Sequence, residues 1–171
     1  MKPLGFYWAH FWSSLTRSRE PLNRYFRSKG VKIGQGCVLC SCIVTKESHL
    51  IEIGSDVTVS ANVTFVTHDN SVRLVHPDKT DLFGKIVIGD HCFIGQNVTL
   101  LYGVTLGPRI IVAAGAVVTK SFTEENIIIG GNPARKIGTW EDFKRKSAPY
   151  AIRREELNQL LAVDDSCLVK R

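Results

Sequence analysis

No apolar stretch in this chain approaches the roughly 20 residues that a membrane-spanning helix needs, and no signal peptide with a cleavage site is visible. The 5 cysteines are odd in number and lack the spacing of a disulfide framework, which points to a reducing compartment. A glycine-rich phosphate loop of the nucleotide-hydrolase kind is missing. Acidic residues are nearly absent from the start. The first thirty residues hold Lys2, Arg17, Arg19, Arg24, Arg27 and Lys29 against Glu20 alone, so 6 − 1 = +5 of the net +6 lies there. Such a patch suits an anionic membrane surface, acidic glycans or nucleic acid, and equally a basic helical cap that keeps the protein soluble. Nothing else points to nucleic acid, and none is expected as a partner. With ordinary charged and apolar fractions, 171 residues make one domain with a sizeable core and small end pieces.

What is present is a period of six. In "IVIGDHCFIGQNVTLLYGVTLGPRIIVAAGAVVTK" the anchors Ile88, Ile94, Leu100, Leu106, Val112 and Val118 fall six apart. Four residues after each of the first five come Cys92, Val98, Val104, Ile110 and Ala116. Gly89, Gly95, Gly107 and Ala113 follow their anchors directly, which reads as small residues at corners of unusual backbone angle. Upstream the same beat runs through Ile33 and Cys37, Leu39 and Ile43, Ile53 and Val57, Val59 and Val63, to Phe65. This period fits neither a 3.6-residue helix nor long two-residue strands. It fits short strands joined by turns, three to a coil of about eighteen residues, stacked as parallel strands over an aliphatic column. A sandwich of short strands does not hold so strict a beat.

The pattern resembles the hexapeptide-repeat acyltransferases and is most similar to their sugar O-acetyltransferases of the maltose and galactoside type. The resemblance implies a left-handed parallel β-helix, a homotrimer and acetyl-CoA as donor, without metal. The expected layout is a helical N-terminal cap over 1–30, the β-helix over 31–138 and a C-terminal helix and tail over 139–171.

The beat breaks once, in "FVTHDNSVRLVHPDKTDLFG". Residues 69–85 form an excursion loop, polar and interrupted by Pro77, and His68 stands where it leaves the wall, rigidly mounted as a catalytic group must be. Acetyl transfer to a hydroxyl needs a general base, and imidazole suits that task. The family's catalytic histidine lies at this kind of break. Asp69 is the expected partner, either orienting the imidazole or receiving the acceptor, although neighbours on an extended segment diverge. His76, in mid-loop, is the rival base, and His91 falls on an outer face. Where sugar acetyltransferases often carry an acceptor asparagine, this chain has Ser41.

For the donor, "VAAGAVVTK" supplies small residues beside which a pantetheine arm can lie, and "GGNPAR" resembles the family's closing turn. By resemblance, Gln96, Ala114, Thr119, Lys120 and Arg135 contact the cofactor, the cations facing its phosphates. "CVLCSC" lacks a second pair at zinc spacing, and Cys37 and Cys92 take inward positions, so no metal site is expected.

At the ends, Leu4, Trp8, Phe11, Trp12 and Leu15 follow helical spacing, and a second helix starts at Pro21 with Leu22, Tyr25 and Phe26 apolar. These cover the open first coil, or present an aromatic, basic surface to the inner membrane or a membrane-bound glycan-lipid. Trp140 to about Val163 reads as helix. The chemistry that emerges is O-acetylation of a sugar or glycan precursor (capsule, O-antigen or similar) in the cytoplasm, at the inner-membrane periphery in the second case. The alternatives are N-acetylation of an amino or nucleotide sugar, or a metal-dependent β-helix enzyme of the carbonic anhydrase type. The latter resemblance wants paired histidines four or five apart, which this chain lacks.

Overall fold

The computed structural model describes residues 4–16, 18–157, 159 and 168–169. Contacts divide the chain into two units, Met1–Ile137 and Gly138–Arg171.

The first unit opens with helices α1 (Leu4–Thr16) and α2 (Glu20–Ser28). Short strands follow: β1 (Lys32–Ile33), β2 (Val38–Leu39), β3 (Ile51–Ile53), β4 (Thr58–Val59), β5 (Thr64–Phe65), β6 (His68–Asp69), β7 (Leu82–Phe83) and β8 (Ile86–Ile88). After them come β9 (Phe93–Ile94), β10 (Thr99–Leu100), β11 (Thr105–Leu106), β12 (Ile110–Val112), β13 (Val117–Val118), β14 (Ile127–Gly130) and β15 (Arg135–Thr139). Besides the two-stranded β6-β7 pair, three sheets result: the first β1-β3-β8-β11, the second β15-β14-β12-β9-β4-β2, the third β13-β10-β5. From β8 to β13 the chain visits them in strict rotation, pairing parallel with the strand one turn earlier. This is a three-sided parallel coil.

The register gives the period directly. Ile88 faces Leu106, Ile94 faces Val112 and Leu100 faces Val118, each eighteen residues on. All six anchors are buried, as are Cys92, Val98, Val104, Ile110 and Ala116 behind them. One aliphatic side chain per side therefore points inward, and stacked turns make the core continuous.

The small residues after the anchors have a different role from the one expected. A Cβ on Gly89 would lie 2.7 Å from the Gly107 carbonyl carbon, and one on Gly95 2.6 Å from the Ala114 nitrogen. Glycine is required there because successive coils touch backbone to backbone. The left-handed backbone angles fall two residues later, at Asp56, His91 and Arg109 on one corner and at Asn62, Asn97 and Gly115 on the next.

α2 covers the first coil through buried Leu22 and Phe26, helped by Phe6 of α1, while Asn23 Nδ2 donates to Cys37 O at 2.9 Å. The expected stripe of α1 does not perform this covering: Leu4, Trp8, Phe11, Trp12 and Leu15 are exposed, and Phe6 and Ser13 face inward.

In the second unit α3 spans Trp140–Ser147, capped by the Thr139 hydroxyl, which accepts from Asp142 N. The expected long helix is interrupted there, and Leu157 and Gln159 are helical beyond the interruption. Two single 3-10 turns, Ala148–Tyr150 and Arg154–Glu156, lie within it, because Pro149 cannot continue an α-helix. The remainder of that expected helix lies largely outside the described residues.

Candidate active site

The coil lengths locate the break. Phe65 pairs with Leu100, Val59 with Ile94 and Ile53 with Ile88, 35 residues apart instead of eighteen, so seventeen residues are thrown out of this turn. That is the length of 69–85. The loop is clamped at its root by a two-stranded antiparallel ribbon in which His68 faces Phe83 and Asp69 faces Leu82. Gly84 N donates to Thr67 O at 3.2 Å, and Gly84 lies so close to Gly103 that a Cβ could not fit. His68 thus stands on paired backbone at the corner between the third and first sheets, its ring 6.0 Å from that of Phe83.

The partner of His68 is Glu47. Glu47 Oε2 accepts from His68 Nδ1 at 2.9 Å and from the buried Thr67 hydroxyl at 2.8 Å. The Thr67 hydroxyl first, and His68 after it, hold the Glu47 carboxyl below its ordinary value. An ionised carboxylate only accepts, so Nδ1 must carry the proton. In neutral imidazole the lone pair then lies on Nε2. The His68 side chain is 40% exposed and that of Glu47 18%. The ring is therefore fixed at one nitrogen and open to a ligand.

Asp69 does not take this part. Its Oδ1 accepts from Ser71 N at 2.8 Å and its Oδ2 from the Tyr102 hydroxyl at 3.3 Å. These donors, the Ser71 backbone foremost, hold its carboxyl below the usual range, while burial and Asp69 push the Tyr102 phenol up. Asp69 ties the loop to the next coil. Ser41 is also committed: buried, it donates to Ser60 O at 2.6 Å and accepts from Val63 N at 2.8 Å, so it closes a wall and reaches no acceptor. His76 is exposed in mid-loop, and His91 is exposed on an outer corner, 3.7 Å from Asp56 Oδ2.

The five expected donor contacts are not gathered in one place. Register extends Leu100–Val118 to Tyr102–Lys120, so Thr119 and Lys120 occupy the corner column of His68. Two coils separate them, roughly 10 Å along the stack. Lys120 Nζ lies over the Phe122 ring, 5.5 Å from its centroid. Gln96 and Ala114 stack on the preceding corner, with Gln96 O accepting from Gly115 N at 2.8 Å. A full side of the coil lies between the two columns. Arg135 is exposed on β15, in the second sheet. Gly103 and Gly115, both at positive φ, have open space where a Cβ would stand. Among the described residues no group of three or more His, Cys, Asp or Glu side chains could hold a metal ion, and Cys37 and Cys92 are buried in the core.

Glu47 escaped the sequence reading, although a signal for it existed. Ile33 pairs with Ile53 and Leu39 with Val59, 20 residues apart, so the first coil carries two extra residues. They fall in "VTKES", directly beneath "VTHD" on the same corner.

The parallel three-sided coil thus carries a carboxylate-anchored imidazole at its long break. The family described as "Hexapeptide repeat of succinyl-transferase" matches residues 85–120. Protein CapG of Staphylococcus aureus is 41% identical over 138 residues, 77% of this chain and 79% of that protein. A hexapeptide-repeat-containing acetyltransferase from Vibrio cholerae O1 biovar eltor, complexed with acetyl coenzyme A, is 29% identical with a TM-score of 0.53, covering 65% of this chain and 61% of its own. A maltose O-acetyltransferase from Clostridium difficile 630 shares the fold, at 24% identity and a TM-score of 0.53 over 70% of this chain and 75% of that one. The chain belongs to the hexapeptide-repeat acyltransferase family.

Proposed function

We propose that this protein transfers an acetyl group from acetyl-CoA to a hydroxyl of a sugar or glycan precursor, with His68 as general base. The observation that carries the reading is the Glu47–Nδ1 contact, which leaves Nε2 as the basic nitrogen at the loop root. Nε2 takes the proton as the acceptor oxygen attacks the thioester carbonyl. The tetrahedral intermediate collapses, the C–S bond breaks, and the proton passes to the departing thiolate, giving an acetyl ester and free CoA. Ionised Glu47 steadies the imidazolium in between, and Asp69 serves as loop anchor.

The donor follows from the Vibrio relative, which holds acetyl coenzyme A. Its arm needs the two columns that one chain keeps a full side apart, which supports a site closed between subunits of a left-handed homotrimer. Leu74, Leu82 and Phe83 of the loop are exposed in the single chain, as a face awaiting a neighbour would be. Gln96, Ala114, Thr119, Lys120 and Arg135 are then the donor contacts, Lys120 and Arg135 meeting phosphate. Cys37, Cys40, Cys42 and Cys92 are unpaired, which suits a reducing cytoplasm.

A thiol-release assay with acetyl-CoA across sugars and glycan fragments tests this. His68→Ala should lose at least about a hundredfold in rate, the usual worth of a general base. A fully active His68→Ala removes the assignment, and acylation of amino sugars alone redirects it to N-acetyl transfer.

A further inference from the structure

α1 has two apolar faces, and only one is used. Phe6, Ala9 and Ser13 turn towards α2 and the core, the Phe6 ring 6.1 Å from that of Phe26. Leu4, Tyr7, Trp8, Phe11, Trp12 and Leu15 turn the other way and are bare, Leu4 at 76% exposure and Trp8 at 60%. At 100° per residue these six fall in an arc of about 140°, opposite the packed side. α1 contains no acidic residue. Glu20, the one acidic residue of the first thirty, pairs with Arg27 at 2.6 Å. Arg19 and Arg24 have no carboxylate partner among the described residues. They flank the apolar face on either side: Arg24 lines an open depression with Trp12, and Arg19 lines another with His10 and Ser13.

We propose that this face of α1 docks on an anionic lipid bilayer, its aromatic and aliphatic side chains in the headgroup boundary and Arg19 and Arg24 on lipid phosphates. Tryptophan and tyrosine favour that boundary because their rings are apolar and their edges polar. The arc forms a ridge on a single helix, the shape that lies in a surface plane. Charge argues against a second copy as occupant, since two such faces would set the Arg19 and Arg24 of one against those of the other, in a first thirty residues that carry a net +5. An anionic surface compensates that charge.

The test is flotation of the full chain with vesicles of phosphatidylcholine mixed with phosphatidylglycerol, against phosphatidylcholine alone, at low and high salt. The protein should float with the mixed vesicles at low salt, stay behind with the neutral ones and be released by salt. Trp8→Ser with Phe11→Ser should weaken partition at least about tenfold. Arg19→Gln with Arg24→Gln should weaken it about twentyfold, and because that pair leaves the apolar ridge intact it decides the matter even if the serine variant folds poorly. Failure to float with mixed vesicles, flotation indifferent to lipid charge, or arginine variants that partition like the parent would overturn the proposal. So would a drop in sedimenting mass for the serine variant, which would make the ridge a subunit contact.

Discussion

Replacing Glu47 by glutamine separates charge from geometry at the loop root. Both bonds reach the same oxygen, Oε2, from Thr67 at 2.8 Å and from His68 at 2.9 Å. A glutamine oxygen in that place keeps both, and its amide nitrogen takes the position of Oε1. The imidazole should therefore hold its orientation and tautomer and lose only the negative charge that steadies its protonated form. Hydrogen bonds to charged partners are stronger than neutral ones by roughly an order of magnitude in equilibrium terms. With 18% of the Glu47 side chain and 40% of the His68 side chain open to water, screening trims the effect. The expected loss in kcat/KM is about fivefold to tenfold, well short of the hundredfold of a missing base. Glu47→Ala also removes the acceptor, frees the ring and should approach His68→Ala. The assay is thiol release with both substrates varied. KM for acetyl-CoA should stay put. A Glu47→Gln variant with the parent rate, or one as slow as His68→Ala, would refute this reasoning.

Three further outcomes follow from the same geometry. Lys120→Ala should raise KM for acetyl-CoA about tenfold with little change in kcat, measured by steady-state kinetics, since the phosphate contact proposed for it is remote from the reacting carbonyl. Leu100→Ala, at a fully buried anchor, should lower unfolding free energy by about 2–5 kcal/mol in a denaturant titration. The carboxyls of Glu47, Glu52 and Asp69 are all held below their ordinary values of 4.5, 4.5 and 3.8. Their contribution to stability is complete above those values and is lost as pH falls through the lowered ones, so thermal midpoints should drop once pH passes below about 4.5.

Much of the fold was legible because each anchor's neighbours are set by an arithmetic period. Ile88, Ile94 and Leu100 announce three sides, and Leu106 announces the return to the first. The role of Gly89 and Gly95 was misread, because a glycine needed for contact with another coil looks in sequence like one needed for its own φ. The outer stripe of α1 had two readings in sequence, a cover for the first coil or an outward surface, and spacing could not choose between them. Periodicity reports that a helix has an apolar face, but Phe6 and Ser13 show that the face against the core was another one.

The chain's order by itself determined the coil, its eighteen-residue turn, the place of the break and the mounting of His68 at its edge, because all of these depend on local spacing repeated along one axis. Only the folded molecule decided what stands beside the imidazole. Glu47 comes from one coil below and displaces the adjacent Asp69, whose carboxylate is drawn off to Ser71 and Tyr102. The reason is physical: successive side chains on a strand point apart, whereas residues a whole turn away are stacked about 5 Å from one another.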